Sequence, residues 1–152
     1  VQLTPHFTLA ELTVSQTAVR KGIDQAGMVK ASPELLENLT RLAEFLEKIR
    51  ALAGGKSIRV SSGYRCREVN ASVGSGSASA HIHGLAADFT CPGFGSVKAL
   101  CDLIACSELK YDQVIYEYKS WCHVSVPRKD VQPRLVQLTK NHGEGYLPGI
   151  IA

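Results

Sequence analysis

The chain predicts an α+β fold in which helices pack on a small, mostly antiparallel sheet. Three features carry this. Leu35, Leu36, Leu39, Leu42, Ala43, Leu46, Ile49 and Ala53 recur at helical spacing, which writes one long amphipathic helix. Two β-rich runs, Gln113–Tyr118 and His123–Val126, are separated by four residues, a hairpin signal. Two more strand-like runs, Ile58–Ser62 and Leu85–Thr90, precede that hairpin.

In chain order, Phe7–Leu12 reads as a short helix capped by Thr8, with Glu11 three residues on as in a capping box. Thr17–Gly22 is a second short helical turn ending at glycine, and Gly27–Ser32 reads as loop. Ser32 then caps the long helix, Pro33 suits its first position, Glu34 supplies an acidic first turn, and Gly54-Gly55 stops it. After the strand Ile58–Ser62 comes a helical stretch near Arg67–Ala71, then a Gly/Ser-rich loop, Val73–Ala80. Ala86 and Ala87 let the strand Leu85–Thr90 pack closely. Ser96 caps a helix through Val97, Leu100, Leu103 and Ile104. Leu135–Leu138 is a further strand, and the glycine-rich end to Ala152 reads as tail.

At 152 residues the chain is expected to form one domain, 1–152, with its core at 7–126 and a C-terminal strand and tail at 127–152. It is 45% hydrophobic and 20% charged, ordinary for a globular protein. A net charge of +3 without a clustered basic face excludes a nucleic-acid footprint. No apolar run approaches the ~20 residues of a membrane-spanning helix. Val1–Leu12 lacks the basic start and apolar block of a secretory leader, so cytoplasmic synthesis is expected. The five cysteines (Cys66, Cys91, Cys101, Cys106, Cys122) are odd in number and irregular in spacing, which reads as reduced thiols. A monomer is expected.

The chemistry concentrates in Ser79-Ala80-His81-Ile82-His83-Gly84-Leu85-Ala86-Ala87-Asp88 and in Trp121-Cys122-His123-Val124-Ser125. A turn at Gly84 can bring His81 and Asp88 to one point. His123 joins them if its strand neighbours the Asp88 strand. Two imidazoles and one carboxylate with a vacant fourth position are the donor set of a catalytic zinc, so one Zn²⁺ held by His81, Asp88 and His123 is expected. Hydrolysis also needs a base and a stabiliser of negative charge. Glu117 ends the strand across the hairpin from His123 and is the candidate base. Arg65, in Ser61-Ser62-Gly63-Tyr64-Arg65, is the candidate for a substrate carboxylate or developing oxyanion; the plainer reading pairs it with Glu68. Ser79 is expected to hydrogen-bond in or beside the pocket as a substrate-side residue. Trp121 suits a pocket wall or the core. His83 fits no ligand slot, His6 and His142 read as solvated, and Cys122 points away from the site as a buried thiol.

The pattern Ser-x-His-x-x-Gly-x-Ala-x-Asp, filled by Ser79, His81, Gly84, Ala86 and Asp88, resembles the zinc-ligand signature of the D-alanyl-D-alanine carboxypeptidase family. That family includes D,D-dipeptidases and phage L-alanyl-D-glutamate endolysins, and the Hedgehog signalling domain shares its fold. Trp121-x-His123 resembles the family's last ligand, and Ser62-Gly63-Tyr64-Arg65 its substrate-side arginine segment. Phe7-Thr8-Leu9-Ala10-Glu11-Leu12 and Thr17-Ala18-x-x-Lys21-Gly22-Ile23-Asp24 resemble small phage-type members, as does Tyr116-Glu117 before Trp-x-His. The resemblance implies a Hedgehog/D,D-peptidase-like fold, one zinc, and a peptidoglycan stem peptide as substrate, at the periplasmic cell wall or from a phage virion. Many members carry an acid three residues before the last histidine; here that position is Ser120. The departure keeps open a second reading, a non-catalytic zinc-containing wall-binding or phage structural module, and a third, a metal-free polar cluster.

Overall fold

A computed structural model describes residues Val1–Ala152. A short hairpin of β1 (Gln2–Thr4) and β2 (Phe7–Thr8) leads into the helices α1 (Leu9–Leu12), α2 (Gln16–Lys21), α3 (Gln25–Lys30) and α4 (Pro33–Leu52). Then follow β3 (Arg59–Ser62), α5 (Arg67–Ser72), a 3₁₀ turn (Ala80–His83), β4 (Ala86–Thr90), α6 (Val97–Ala105), β5 (Gln113–Glu117), β6 (Trp121–Ser125), β7 (Val136–Lys140) and β8 (Leu147–Pro148). The main sheet has six strands in the order β3-β4-β6-β5-β7-β8. Its pairs are antiparallel except β5 with β7, which run parallel. This is the expected α+β architecture. No helix is long and apolar enough to cross a membrane.

The sheet's two faces follow from strand alternation. Ala87 and Phe89 on β4, Cys122 and Val124 on β6, and Val114 and Tyr116 on β5 all join the hydrophobic core. The same cluster takes in Leu39, Leu42, Leu46 and Ile49 of α4 and Leu100, Cys101 and Ile104 of α6. The intervening residues Asp88, His123, Ser125, Gln113, Ile115 and Glu117 face a cleft on the other side. Cys122 is a buried thiol on the core face, as expected, and all five cysteines are unbridged.

The caps largely follow the sequence. Ser32 accepts from Leu35 N–H with Pro33 next to it, and Ser96 accepts from Ala99 N–H. Several expectations need correction. Gly27–Ser32 is not loop: α3 occupies most of it, capped by Asp24, whose carboxylate accepts from Gly27 N–H at 2.9 Å. Phe7 and Thr8 pair with β1 rather than opening a helix, which starts at Leu9 with Thr8 as its cap. The C-terminal strand begins at Val136 and runs to Lys140. The end is no tail, because Leu147–Pro148 pairs with β7 and Thr139 Oγ1 donates to Gly149 O at 2.8 Å. His6 and His142 are exposed, as expected, with His6 Nδ1 2.8 Å from Glu47 and the His142 ring stacked on Tyr118 at 4.3 Å.

Candidate metal centre and active-site cleft

The hairpin of β5 and β6 sets Asp88, on β4, directly opposite His123 in the strand register. His123 Nδ1 lies 2.8 Å from Asp88 Oδ1 and 3.5 Å from Glu117 Oε1. His81 arrives from the 3₁₀ turn. Ser79 caps that turn by accepting from His81 N–H at 3.3 Å, and Gly84 closes it at φ +70°, a left-handed conformation that favours glycine. His81 Nε2 then stands 3.4 Å from Asp88 Oδ1. One donor atom from each of the three residues lies within 4.8 Å of the others, and all three residues are buried.

The hydrogen bonding defines what this cluster needs. His81 Nδ1 sits 2.7 Å from Gly63 O, which can only accept, so Nδ1 carries the proton. Burial pushes His81 toward its neutral form. Its Nε2 lone pair therefore faces a carboxylate oxygen, acceptor against acceptor in a buried site. Burial alone would raise Asp88, but the two imidazoles overcome it and hold the carboxyl below its ordinary range. Burial likewise opposes protonation of His123, yet its bond to Asp88 and the charges of Asp88 and Glu117 move it upward. A cation among these atoms relieves the facing acceptors. Ligands about 2.0–2.2 Å from a tetrahedral ion stand roughly 3.4 Å apart; His81 Nε2 and Asp88 Oδ1 have that separation, and His123 Nδ1 and Asp88 Oδ1 are closer, at 2.8 Å. The donor set fits one metal ion.

The cluster lies in a cavity of about 790 Å³ lined by 22 residues. Glu117 lines it and is half-buried; burial first, then the Asp88 charge, raises its pKa above the usual carboxylate value. Arg65 also lines the cavity and feels Asp88 and Glu117 as its compensating charges. It makes no bond to Glu68, and its Nε is buried without a partner. Ser79 and Trp121 both line the cleft, and Trp121 tilts against Tyr118 at 5.2 Å. His83 lies outside it, where Arg128 approaches its Nε2 at 3.2 Å.

Sequence reasoning missed four contributors. Gly63 orients His81 through its carbonyl. Gln25 donates to Thr13 O and Tyr64 O and accepts from Cys66 N–H, clamping the segment on both sides of Arg65. Asn70 donates to Gly76 O at 3.0 Å and secures the Gly/Ser-rich rim. The C-terminal segment builds the opposite wall with Arg134, Leu138, Lys140 and Tyr146. None of these has a local sequence signature.

The family model described as peptidase M15 matches residues 5–125, a span that holds Arg65, Glu117 and the complete His/Asp/His cluster. No curated protein matches the chain. A match over that share of the sequence, on a mostly antiparallel α+β sheet carrying a buried candidate metal site, bears out the resemblance read from the motifs: this chain belongs to the peptidase M15 family.

Proposed function

We propose that the chain is a single zinc peptidase domain that hydrolyses an amide bond of peptidoglycan stem peptides, of the D-Ala–D-Ala carboxypeptidase or L-Ala–D-Glu endopeptidase type. The observation that carries the reading is the His81 Nε2 lone pair facing the Asp88 carboxylate, with Glu117 Oε1 3.5 Å from His123 Nδ1. His81 Nε2, Asp88 and His123 Nδ1 would hold the zinc. When bound, zinc polarises the scissile carbonyl and lowers its water's pKa to about 7.

The chain's own residues supply the rest. Glu117, with its pKa raised by burial, accepts a proton at Oε1 and returns it to the leaving amine. Arg65 keeps its fork free of protein partners and steadies the developing negative charge. Gly63 O keeps the proton on His81 Nδ1, so the lone pair stays on Nε2. Ser79 holds the backbone of the 3₁₀ turn in place. The substrate sets the place of action at the bacterial wall, whether the protein is exported or carried in a virion.

The competing module without turnover draws on Ser120, which is exposed in the hairpin turn where many relatives carry an acid. Elemental analysis of protein purified without chelators, combined with a muropeptide digest read by mass spectrometry, tests the proposal. Expected are one zinc per chain, loss of zinc in His81→Ala, and a digest that Glu117→Gln slows by about 10²–10⁴-fold while zinc content is retained. Zinc-loaded wild type that leaves every muropeptide intact would establish the binding module instead.

A further inference from the structure

Of the cations on this cleft, Arg134 is neutralised by Asp112 through a contact of 2.7 Å. Arg65 and Lys140 have no such contact: no carboxylate lies within ion-pair distance of either. Lys140 ends β7 beside Glu117 of β5 in the parallel register and lies beyond the residues the family model matches. Its Nζ donates to Asn141 O at 3.2 Å and to Glu144 O, so the 141–144 turn holds the ammonium in place. The Tyr146 ring centroid lies 5.7 Å away. An ammonium has three donors, which leaves one unused.

We propose that Lys140 is a specificity-determining residue that binds a carboxylate of the peptide on the flank of the cleft opposite Arg65. This rests on the peptidase reading and deepens it with a feature of the substrate: an acidic group about three residues from the scissile amide.

The sheet order sets the spacing. Arg65 follows β3 on one flank; the Asp88–His123 pair joins β4 to β6; Glu117 lies on β5 and Lys140 on β7. From β6 to β7 is two strand spacings, about 10 Å, and the turn that holds the ammonium keeps it at the β7 end of that span. An extended peptide rising about 3.3 Å per residue crosses it in about three residues. Charge agrees: Arg65, Arg134 and Lys140 balance Asp88, Asp112 and Glu117, so a divalent ion leaves the cleft at net +2 and favours an anionic peptide.

The test uses a synthetic stem pentapeptide with each carboxylate converted in turn to a carboxamide. Zinc-loaded wild type, Lys140→Met and Lys140→Arg are compared by kcat/KM. Affinities are measured by calorimetry in a Glu117→Gln background, where turnover is suppressed. Amidating one carboxylate should weaken binding by about tenfold or more when Lys140 is present. Lys140→Met should bind the free-carboxylate peptide as weakly as its amide, mainly through KM, and Lys140→Arg should restore discrimination. Lys140→Met lowering both forms equally, or wild type discriminating against no amide, overturns the proposal. Turnover without discrimination refutes the lysine's role alone. Discrimination without turnover supports it and refutes hydrolysis instead.

Discussion

Gly63→Ala should damage both stability and metal binding, because one backbone position serves both. A Cβ there would lie 2.3 Å from Leu12 O and 2.9 Å from Leu12 C. Regaining even 3.0 Å from that oxygen requires the two segments to part by about 0.7 Å (3.0 less 2.3). The neighbouring bond from Tyr64 N–H to Leu12 O, 2.8 Å long, spans the same gap and would stretch or break. Overpacking typically costs about 1–3 kcal/mol and a lost hydrogen bond about 0.5–1.5, so a loss of about 2–4 kcal/mol is expected. For a chain of this size that lowers Tm by roughly 4–16 °C. The displaced Gly63 carbonyl also holds His81 Nδ1 at 2.7 Å. Loss of such an orienting partner usually weakens metal affinity about 10–100-fold. Thermal unfolding of the metal-free protein and a competition titration with zinc measure the two effects separately. Gly93→Ala is the control, since its Cβ would meet only the Lys56 side chain at 3.5 Å or beyond. A Gly63→Ala protein with wild-type Tm and wild-type zinc affinity would refute the reasoning.

Other perturbations test neighbouring parts of the argument. Gln25→Leu strands Thr13 O, Tyr64 O and Cys66 N–H, and should cost about 2–4 kcal/mol by urea unfolding while lowering kcat/KM through the displaced Arg65; unchanged stability would show that water replaces the amide. Arg134→Ala should cost about 0.2–1 kcal/mol at pH 7, since the guanidinium is largely exposed. Hydrogen bonding to Arg134 lowers the Asp112 pKa, so that stabilisation is present above the ordinary carboxylate value of about 3.9 and fades as pH falls through the lower folded value. A stability gap between wild type and Arg134→Ala that widens on acidification would contradict the sign.

The metal cluster was legible because short-range pattern encodes it. Gly84 reverses the chain between His81 and Asp88, and period-two alternation puts Asp88 on the face opposite Ala87 and Phe89. The helix α3 was obscured by Gly27, a residue that ordinarily weakens helices. Here a Cβ at position 27 would lie 2.4 Å from Asp24 Oδ2, so the glycine leaves room for the cap that starts the helix. Gln25 and Gly63 were illegible for another reason. Gln25 acts on Tyr64 and Cys66 about forty positions away, and Gly63 acts through a backbone carbonyl that every residue possesses. The C-terminal wall depends on the parallel pairing of β7 with β5, which crosses β6 in sequence and leaves no hairpin signature.

The departure at Ser120 is best understood through the hairpin itself. Tyr118 and Lys119 adopt left-handed φ of 54° and 55°, and Ser120 N–H donates to Glu117 O at 2.9 Å. The turn thereby registers Glu117 opposite Trp121 and leaves Ser120 exposed, its hydroxyl donating to Tyr118 O. Trp121 and His123 share one strand face, so Glu117 is the diagonal cross-strand neighbour of His123, with backbones roughly 7–8 Å apart and side chains that converge. The 3.5 Å contact between Glu117 Oε1 and His123 Nδ1 is the product of that register. A carboxylate introduced by Ser120→Glu would start from the exposed turn, whereas Glu117 already lines the cleft. If Glu117 is the base, Ser120→Glu alone should leave kcat unchanged, and Ser120→Glu in a Glu117→Gln background should not restore it. Recovery in the double variant would move the proton transfer from the strand to the turn.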